Sequence, residues 1–152
     1  MKRYFLLLSL FVGLSSCKKD SFSATKQAAI DDGLIKAYVG TNSITAIKDP
    51  SGVYYQIIKA GTGGYPSANA TVTVNYNGKL LNGSVFVPPN NFSSPLSALI
   101  KGWQIGIPLI NTGGRILLII PSALGYGNSS PDASIPANSV LVFTIDLVSF
   151  NN

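Results

Sequence analysis

The side chains best placed to do chemistry in this chain lie in two short segments that are rich in glycine. Residues 99–106 read Leu-Ile-Lys-Gly-Trp-Gln-Ile-Gly and hold the only Trp, and residues 124–127 read Leu-Gly-Tyr-Gly. Glycine beside an aromatic residue keeps the backbone thin around a ligand, although glycine also serves turns. None of the aromatic or aliphatic side chains here changes its charge near neutral pH. They predict a chemistry of apolar walls, aromatic faces and hydrogen-bond donors.

The composition excludes most other catalytic devices. The 152 residues include no His, and all six acidic residues are Asp. A nucleophile activated by His and a zinc site with a His ligand are therefore excluded. Only Asp31 and Asp32 are neighbours in the sequence, which disfavours a pair of carboxylates acting as acid and base. The sequence predicts no metal and no cofactor.

Rotation about an X–Pro peptide bond needs none of these devices. Its barrier of ~18–20 kcal/mol arises because resonance is lost in the twisted amide. The carbonyl is less polar in that twisted state, so an apolar pocket that excludes water disfavours the planar amide relative to the twisted one. A few fixed donors then orient the neighbouring carbonyl groups.

The charge pattern gives little support for a nucleic-acid partner. The formal net charge is +5, from 11 basic and 6 acidic residues. Apart from Lys18 and Lys19, the basic residues beyond the first three positions are scattered singly and form no basic stripe. We therefore predict no nucleic acid among the partners.

The first seventeen residues predict export. Two basic residues precede an apolar stretch at residues 4–14, which is too short for a transmembrane helix of ~20 residues. The stretch ends in Leu-Ser-Ser-Cys, with the only Cys at position 17, and resembles the lipobox of bacterial lipoproteins. That resemblance implies a signal peptide at 1–16, cut before a lipid-bearing Cys17, and a tether at 17–23. An ordinary cleaved signal with a chance Cys is the alternative.

A lipid on Cys17 would determine the location of the protein. Each buried CH₂ of lipid contributes ~0.8 kcal/mol, so two or three acyl chains anchor a protein stably. We therefore expect a lipid-anchored protein of the cell envelope, in the outer membrane or at the periplasmic face of the inner membrane.

Hydrophobic periodicity predicts one helix followed by a β-sheet. Residues 24–39 form the helix, in which Ile30, Leu34 and Tyr38, with Ile35 and Val39 alongside, make one apolar stripe. The stripe either packs on the main domain or serves as a spacer or docking surface. Strands are predicted at 53–59, 70–81, 84–87, 115–120 and 140–150, with a loop at 88–91 and a short helix at 97–105. These elements indicate an α+β fold with an antiparallel sheet of about five strands.

The order of the motifs resembles the FKBP-type peptidyl-prolyl isomerases. The matching motifs span roughly residues 52 to 150 and lie at 74–78, 82–86, 99–103, 120–121, 124–127, 135–136 and 141–143. The signal, the lipobox and the preceding helix also resemble lipid-anchored members from Gram-negative envelopes. The resemblance implies a twisted antiparallel sheet wrapped around one short α-helix in residues 49–152. A separate helix and linker would occupy residues 24–48.

The resemblance also implies the residues of a substrate pocket. Trp103 would form the floor, Ile100 would donate its backbone N–H to a substrate carbonyl, and Tyr126 would place its hydroxyl over the pocket. The remaining catalytic residues would be the apolar walls Tyr76, Phe86 and Phe143, and the substrate-binding residues would be Val87, Phe92, Leu99 and Ile135. The family usually has Asp at the position of Val87, so this pocket would be drier.

The implied activity is that of a peptidyl-prolyl cis-trans isomerase, or rotamase. Its partners would be proline-containing unfolded or exported polypeptides, whose folding it would assist in the periplasm. The main alternative is a non-catalytic chaperone or peptide-binding module with the same fold. A weaker alternative is a structural lipoprotein whose helix at 24–39 mediates pairing.

Overall fold

A computed structural model describes residues 19–152, so the predicted signal peptide and Cys17 lie outside the described residues. Within this range two helices accompany a six-stranded sheet. The elements in chain order are α1 (Lys19–Thr41), β1 (Ile47–Lys48), β2 (Tyr54–Lys59), β3 (Thr71–Leu80), β4 (Val85–Pro95), α2 (Lys101–Gly106), β5 (Arg115–Ile120) and β6 (Leu141–Asn151). Short 3₁₀ turns occupy Leu96–Ala98, Ile107–Leu109 and Ser122–Leu124. None of the helices found in residues 19–152 is long and apolar enough to cross a membrane.

The strands form one antiparallel sheet in the spatial order β1-β2-β5-β6-β3-β4. The predicted alternation along β3 is present, because Val72 and Val74 are buried whereas Thr71 and Asn75 are exposed. One face of the sheet and α2 enclose the main apolar core. The predicted α+β architecture is therefore confirmed, with β1 as a short additional strand.

The second half of the predicted hairpin differs from the sequence-based expectation. The predicted loop at 88–91 is wrong, because β4 continues through it to Pro95. Two prolines are tolerated there because β4 is an edge strand, whose outer N–H groups have no neighbouring strand to pair with. The register shifts between the pairs Tyr76↔Asn90 and Gly78↔Val87, so a bulge absorbs the extra residue.

Helix α2 lies directly against β5 because two of its residues lack side chains. The helix is shorter than predicted, since residues 96–98 form a separate 3₁₀ turn. A Cβ on Gly102 would lie 2.5 Å from side-chain carbons of Ile120, and one on Gly106 would clash with Leu118. Glycine inside a helix costs ~1 kcal/mol, and here the close packing it permits offsets that cost. This packing fixes the position of Trp103, which lies between the two glycines.

Helix α1 packs on the other face of the sheet with only part of the predicted stripe. Ile35 is fully buried, whereas Ile30 and Leu34 remain 45% and 48% exposed. Ile35 joins Tyr54 of β2 and residues of β5 and β6 in a second, smaller apolar cluster. The predicted packing of the stripe on the domain is therefore confirmed for Ile35, Tyr38 and Val39. It is wrong for Ile30 and Leu34, because polar contacts of the aspartates on α1 turn the Ile35 side of the helix inward.

Candidate active site

A cavity of about 140 Å³ opens between α2 and the sheet. Its wall comprises nine side chains, all of them predicted from the sequence: Tyr76, Phe86, Val87, Phe92, Leu99, Ile100, Trp103, Tyr126 and Phe143. They come from β3, β4, β6, the start of α2 and the loop that follows residues 122–124. These residues are far apart in the sequence, and the pairing of the strands in the sheet brings their side chains to one cavity.

The aromatic side chains form a rigid, edge-to-face cluster around Trp103. The Trp103 ring centroid lies 4.9 Å from that of Tyr76 and 5.2 Å from that of Phe143, with both pairs nearly perpendicular. Phe86 contacts Phe143 at 5.6 Å, and Phe92 contacts Tyr76 at 6.0 Å. Such pairs stabilise by ~0.5–1.5 kcal/mol each beyond the area they bury. The cluster offers a flat apolar surface to a ligand.

The indole nitrogen of Trp103 is buried in this cluster. Among the described residues it is the only buried side-chain nitrogen or oxygen without a hydrogen-bond partner. An unpaired buried donor costs about 1–3 kcal/mol, and most proteins avoid that cost. The presence of Trp here in spite of this unpaired atom favours a role for its large flat ring in the site.

Gly78 on β3 contributes to the site, although the sequence predicts no role for it beyond its place in the motif at 74–78. A Cβ there would lie 2.5 Å from Cε2 of Phe86 and 2.8 Å from Cε1 of Phe143. The two aromatic rings therefore lie against bare backbone. The available signal was a glycine inside a strand, which often marks a place where another group approaches closely.

The turn into α2 presents a backbone donor at the cavity rim. The Ile100 carbonyl accepts the N–H groups of Trp103 (3.0 Å) and Gln104 (3.2 Å) and so begins the helix. Within residues 19–152 the Ile100 N–H itself has no protein acceptor, as is common at helix N-termini. The Gln104 side-chain amide donates to the Leu99 carbonyl at 2.6 Å and holds this turn in place.

Tyr126 reaches the cavity from the opposite side and is 38% exposed. The Ser122 carbonyl accepts the N–H groups of Gly125 (3.0 Å) and Gly127 (2.8 Å), which flank Tyr126. Burial raises the pKa of the Tyr126 hydroxyl, and the nearby Tyr76 and Asp132 raise it further. The hydroxyl therefore stays protonated, and able to donate, throughout the neutral range.

Ile135 is the predicted site residue that the structure does not bring to the cavity wall. It is 3% exposed and packs in the main core. Its carbonyl accepts the Ser130 hydroxyl at 2.7 Å, which fixes the loop between β5 and β6. Ile135 thus holds that loop on the core.

We expect the activity of this site to be independent of pH between about pH 5 and 9. No Asp, Lys or Arg side chain lines the cavity. Because the pKa of the Tyr126 hydroxyl is raised above its ordinary value, its donor is fully present throughout the neutral range and is lost only at strongly alkaline pH. A profile of kcat/KM against pH for X–Pro peptides measures this. A bell-shaped profile centred near neutral pH would contradict it.

Comparison with known proteins identifies the family. The profile of the family described as FKBP-type peptidyl-prolyl cis-trans isomerase matches residues 63–148, more than half of the chain. The chain belongs to this family. An FKBP-type peptidyl-prolyl cis-trans isomerase, FkpA of Buchnera aphidicola subsp. Schizaphis graminum, is 34% identical over 152 residues, which cover 97% of this chain and 60% of the relative. The predicted recognition as an FKBP is thereby confirmed.

Two further relatives agree in sequence and in structure. The outer membrane protein MIP of Legionella longbeachae is 35% identical over 83% of this chain and 55% of its own length. The crystal structure of FkpA from Escherichia coli superimposes with a TM-score of 0.71 at 33% identity, covering 86% of this chain and 64% of that one. This FKBP chain spans about three fifths of the length of these relatives.

Proposed function

We propose that this protein is a peptidyl-prolyl cis-trans isomerase acting on proline-containing segments of unfolded or exported polypeptides. The observation that carries the proposal is the cavity over Trp103, which combines a flat aromatic floor with a backbone N–H at its rim and no charged side chain. Uncatalysed X–Pro exchange takes tens to hundreds of seconds, so newly exported chains benefit from a catalyst.

The site suits rotation about the X–Pro bond. The proline ring packs on Trp103, and the dry aromatic walls disfavour the planar, polar amide relative to the twisted one. The Ile100 N–H and the Tyr126 hydroxyl donate to substrate carbonyl groups and hold the flanking backbone while the bond turns. Each reduction of the barrier by 1.36 kcal/mol gives about tenfold in rate. The proposed catalytic residues are Tyr76, Phe86, Ile100, Trp103, Tyr126 and Phe143, with Val87, Phe92 and Leu99 contacting the neighbouring substrate residues.

Replacement of Tyr126 by Phe is the most direct test. We expect kcat/KM for short X–Pro peptides to fall about tenfold, which corresponds to one lost hydrogen bond of ~1–1.5 kcal/mol. Among the described residues no hydrogen bond to the Tyr126 hydroxyl is present, so the melting temperature should not change. The measurement is cis-to-trans exchange with protein lacking residues 1–17.

Tyr65→Phe is the matched control, because Tyr65 is 59% exposed and lies outside the cavity. This variant should catalyse cis-to-trans exchange of X–Pro peptides with the wild-type kcat/KM. A folded wild-type protein that accelerates no X–Pro peptide, across several residues X, would contradict the proposal. That result would favour a peptide-binding module without catalysis.

We also propose a location in the cell envelope, with the protein held at a membrane by lipid on Cys17. Residues 1–16 would be removed, and 49–152 would form the isomerase domain. The tether predicted at 17–23 is too long, because α1 already begins at Lys19, so the helix and linker occupy residues 19–48. Support comes from the lipobox-like sequence before Cys17 and from the name of the Legionella relative, an outer membrane protein. A catalyst anchored there would meet chains as they are exported.

Cys17→Ala tests the anchor. We expect this variant to leave the membrane fraction, because two or three acyl chains at ~0.8 kcal/mol per buried CH₂ are lost with the thiol. Ser16→Ala, one residue earlier, keeps the thiol and should stay in the membrane fraction. Unchanged fractionation of Cys17→Ala would overturn the anchor and would leave the isomerase proposal untouched.

A further inference from the structure

A fully buried carboxylate lies outside the isomerase site, on the helix that precedes the domain. Asp31 of α1 is 0% exposed. Its Oδ2 accepts the backbone N–H of Ser122 at 2.8 Å and the Ser122 hydroxyl at 2.6 Å, and its Oδ1 accepts the Gln27 side-chain amide at 2.8 Å. Within residues 19–152 no Lys or Arg pairs with it. Burying a carboxylate without a counter-ion is costly, so these three hydrogen bonds must hold it.

Ser122, the hydrogen-bond partner of Asp31, also holds the loop that carries Tyr126. The Ser122 carbonyl accepts the N–H groups of Gly125 and Gly127, on either side of Tyr126. A Cβ on Gly125 would lie 2.9 Å from Leu141, so glycine lets the loop backbone approach Leu141 closely at this point. Since no hydrogen bond holds the Tyr126 hydroxyl in the described structure, its position over the cavity depends on this backbone.

We propose that Asp31 is a positioning residue for the isomerase site. By fixing both donors of Ser122, it holds the 122–127 loop in the geometry that places Tyr126 over the cavity. Helix α1 thus contributes to a site whose wall it does not form. The activity readout of this proposal rests on the proposed isomerase function, but its structural readout does not.

The neighbouring Asp32 provides a matched control. It docks the same helix onto the same domain through Lys48 Nζ at 2.5 Å and the Tyr54 hydroxyl at 2.7 Å. It has no hydrogen bond to Ser122. Loss of Asp32 therefore weakens the docking of α1 without releasing the Tyr126 loop, which separates general docking from loop positioning.

The test compares Asp31→Ala with Asp32→Ala in the chain that begins at residue 18. We expect kcat/KM for X–Pro peptides to fall about tenfold in Asp31→Ala, since small misplacement of a donor has large effects on rate, and to remain at the wild-type value in Asp32→Ala. Asp31→Asn, which keeps an accepting oxygen for Ser122, should recover most of the loss. In a Tyr126→Phe background, Asp31→Ala should cost less than about twofold, because its effect passes through the missing hydroxyl.

Amide hydrogen exchange at Gly125 and Gly127 is the readout that needs no activity. We expect exchange at both amides to be at least about tenfold faster in Asp31→Ala than in Asp32→Ala. Equal kcat/KM and equal exchange in the two variants would overturn the proposal. If the wild type lacks isomerase activity, the proposed function fails and the exchange rates alone decide this inference. If Asp31→Ala does not fold, Ser122→Ala replaces it in the test, because it removes only the hydroxyl donor. We expect Ser122→Ala to accelerate exchange at both amides. Unchanged exchange in this variant would overturn the proposal.

Discussion

Trp103→Leu is expected to lower kcat/KM for X–Pro peptides by about 10- to 100-fold, or ~1.4–2.7 kcal/mol of transition-state stabilisation. The indole ring is 4% exposed and packs edge-to-face against Tyr76 and Phe143. Leu has no flat face on which a proline ring can lie. It also leaves space between the two aromatic walls, so that water enters a site that depends on its exclusion. The measurement is cis-to-trans exchange at a temperature at which circular dichroism shows the variant to be folded.

Trp103→Phe separates the flat face from the bulk of the side chain. Phe keeps an aromatic floor and removes the buried indole N–H that has no partner among residues 19–152. We expect this variant to retain at least about a third of the wild-type kcat/KM, because the aromatic surface persists. If neither variant lowered the rate, Trp103 would be a core residue with no part in catalysis. Equal losses in both would contradict the idea that a flat aromatic face is sufficient.

The nine wall residues could be predicted from the sequence because the motifs occur in the order and at the spacing of the family. Each motif fixes its own residues, and the sheet then brings them to one place. For Ile135 the motif was not sufficient to predict where the side chain packs. Its motif placed it in the loop between β5 and β6, yet whether its side chain faces the cavity or the core depends on how that loop is folded, and it packs in the core.

Contacts between distant parts of the chain could not be predicted from local patterns. Periodicity identified α1 as a helix and Ile35 as part of its apolar stripe, but Ile30 and Leu34 stayed exposed because the hydrogen bonds of Asp31 to Ser122 turn the Ile35 side inward. Two adjacent prolines predicted a loop at 88–91, whereas the edge position of β4, a property of the whole sheet, allows them in a strand. In both cases the local structure depends on residues that are distant in the sequence.

Gly78→Ala is expected to impair both stability and activity, because the glycine lies beneath two cavity walls. A Cβ would lie 2.5 Å from Cε2 of Phe86, 2.7 Å from Cζ of Phe86 and 2.8 Å from Cε1 of Phe143, so both rings must move. Overpacking of this kind costs about 1–3 kcal/mol of unfolding free energy. The Phe143 ring is 3% exposed in the core and yields little, so the half-buried Phe86 ring is displaced into the cavity. We expect kcat/KM to fall at least about tenfold, since the proline slot is narrowed.

Gly33→Ala is the matched control for this substitution. Gly33 lies in α1, its added Cβ would meet no atom within 4 Å, and its backbone is not in the left-handed region. We expect it to raise the unfolding free energy by about 0.5–1 kcal/mol, because Ala restricts the unfolded chain more than Gly does, and to leave kcat/KM unchanged. Guanidinium unfolding and peptide exchange on both variants measure the two effects. If Gly78→Ala were as active as Gly33→Ala, the Phe86 ring would not form a wall against which the substrate proline packs.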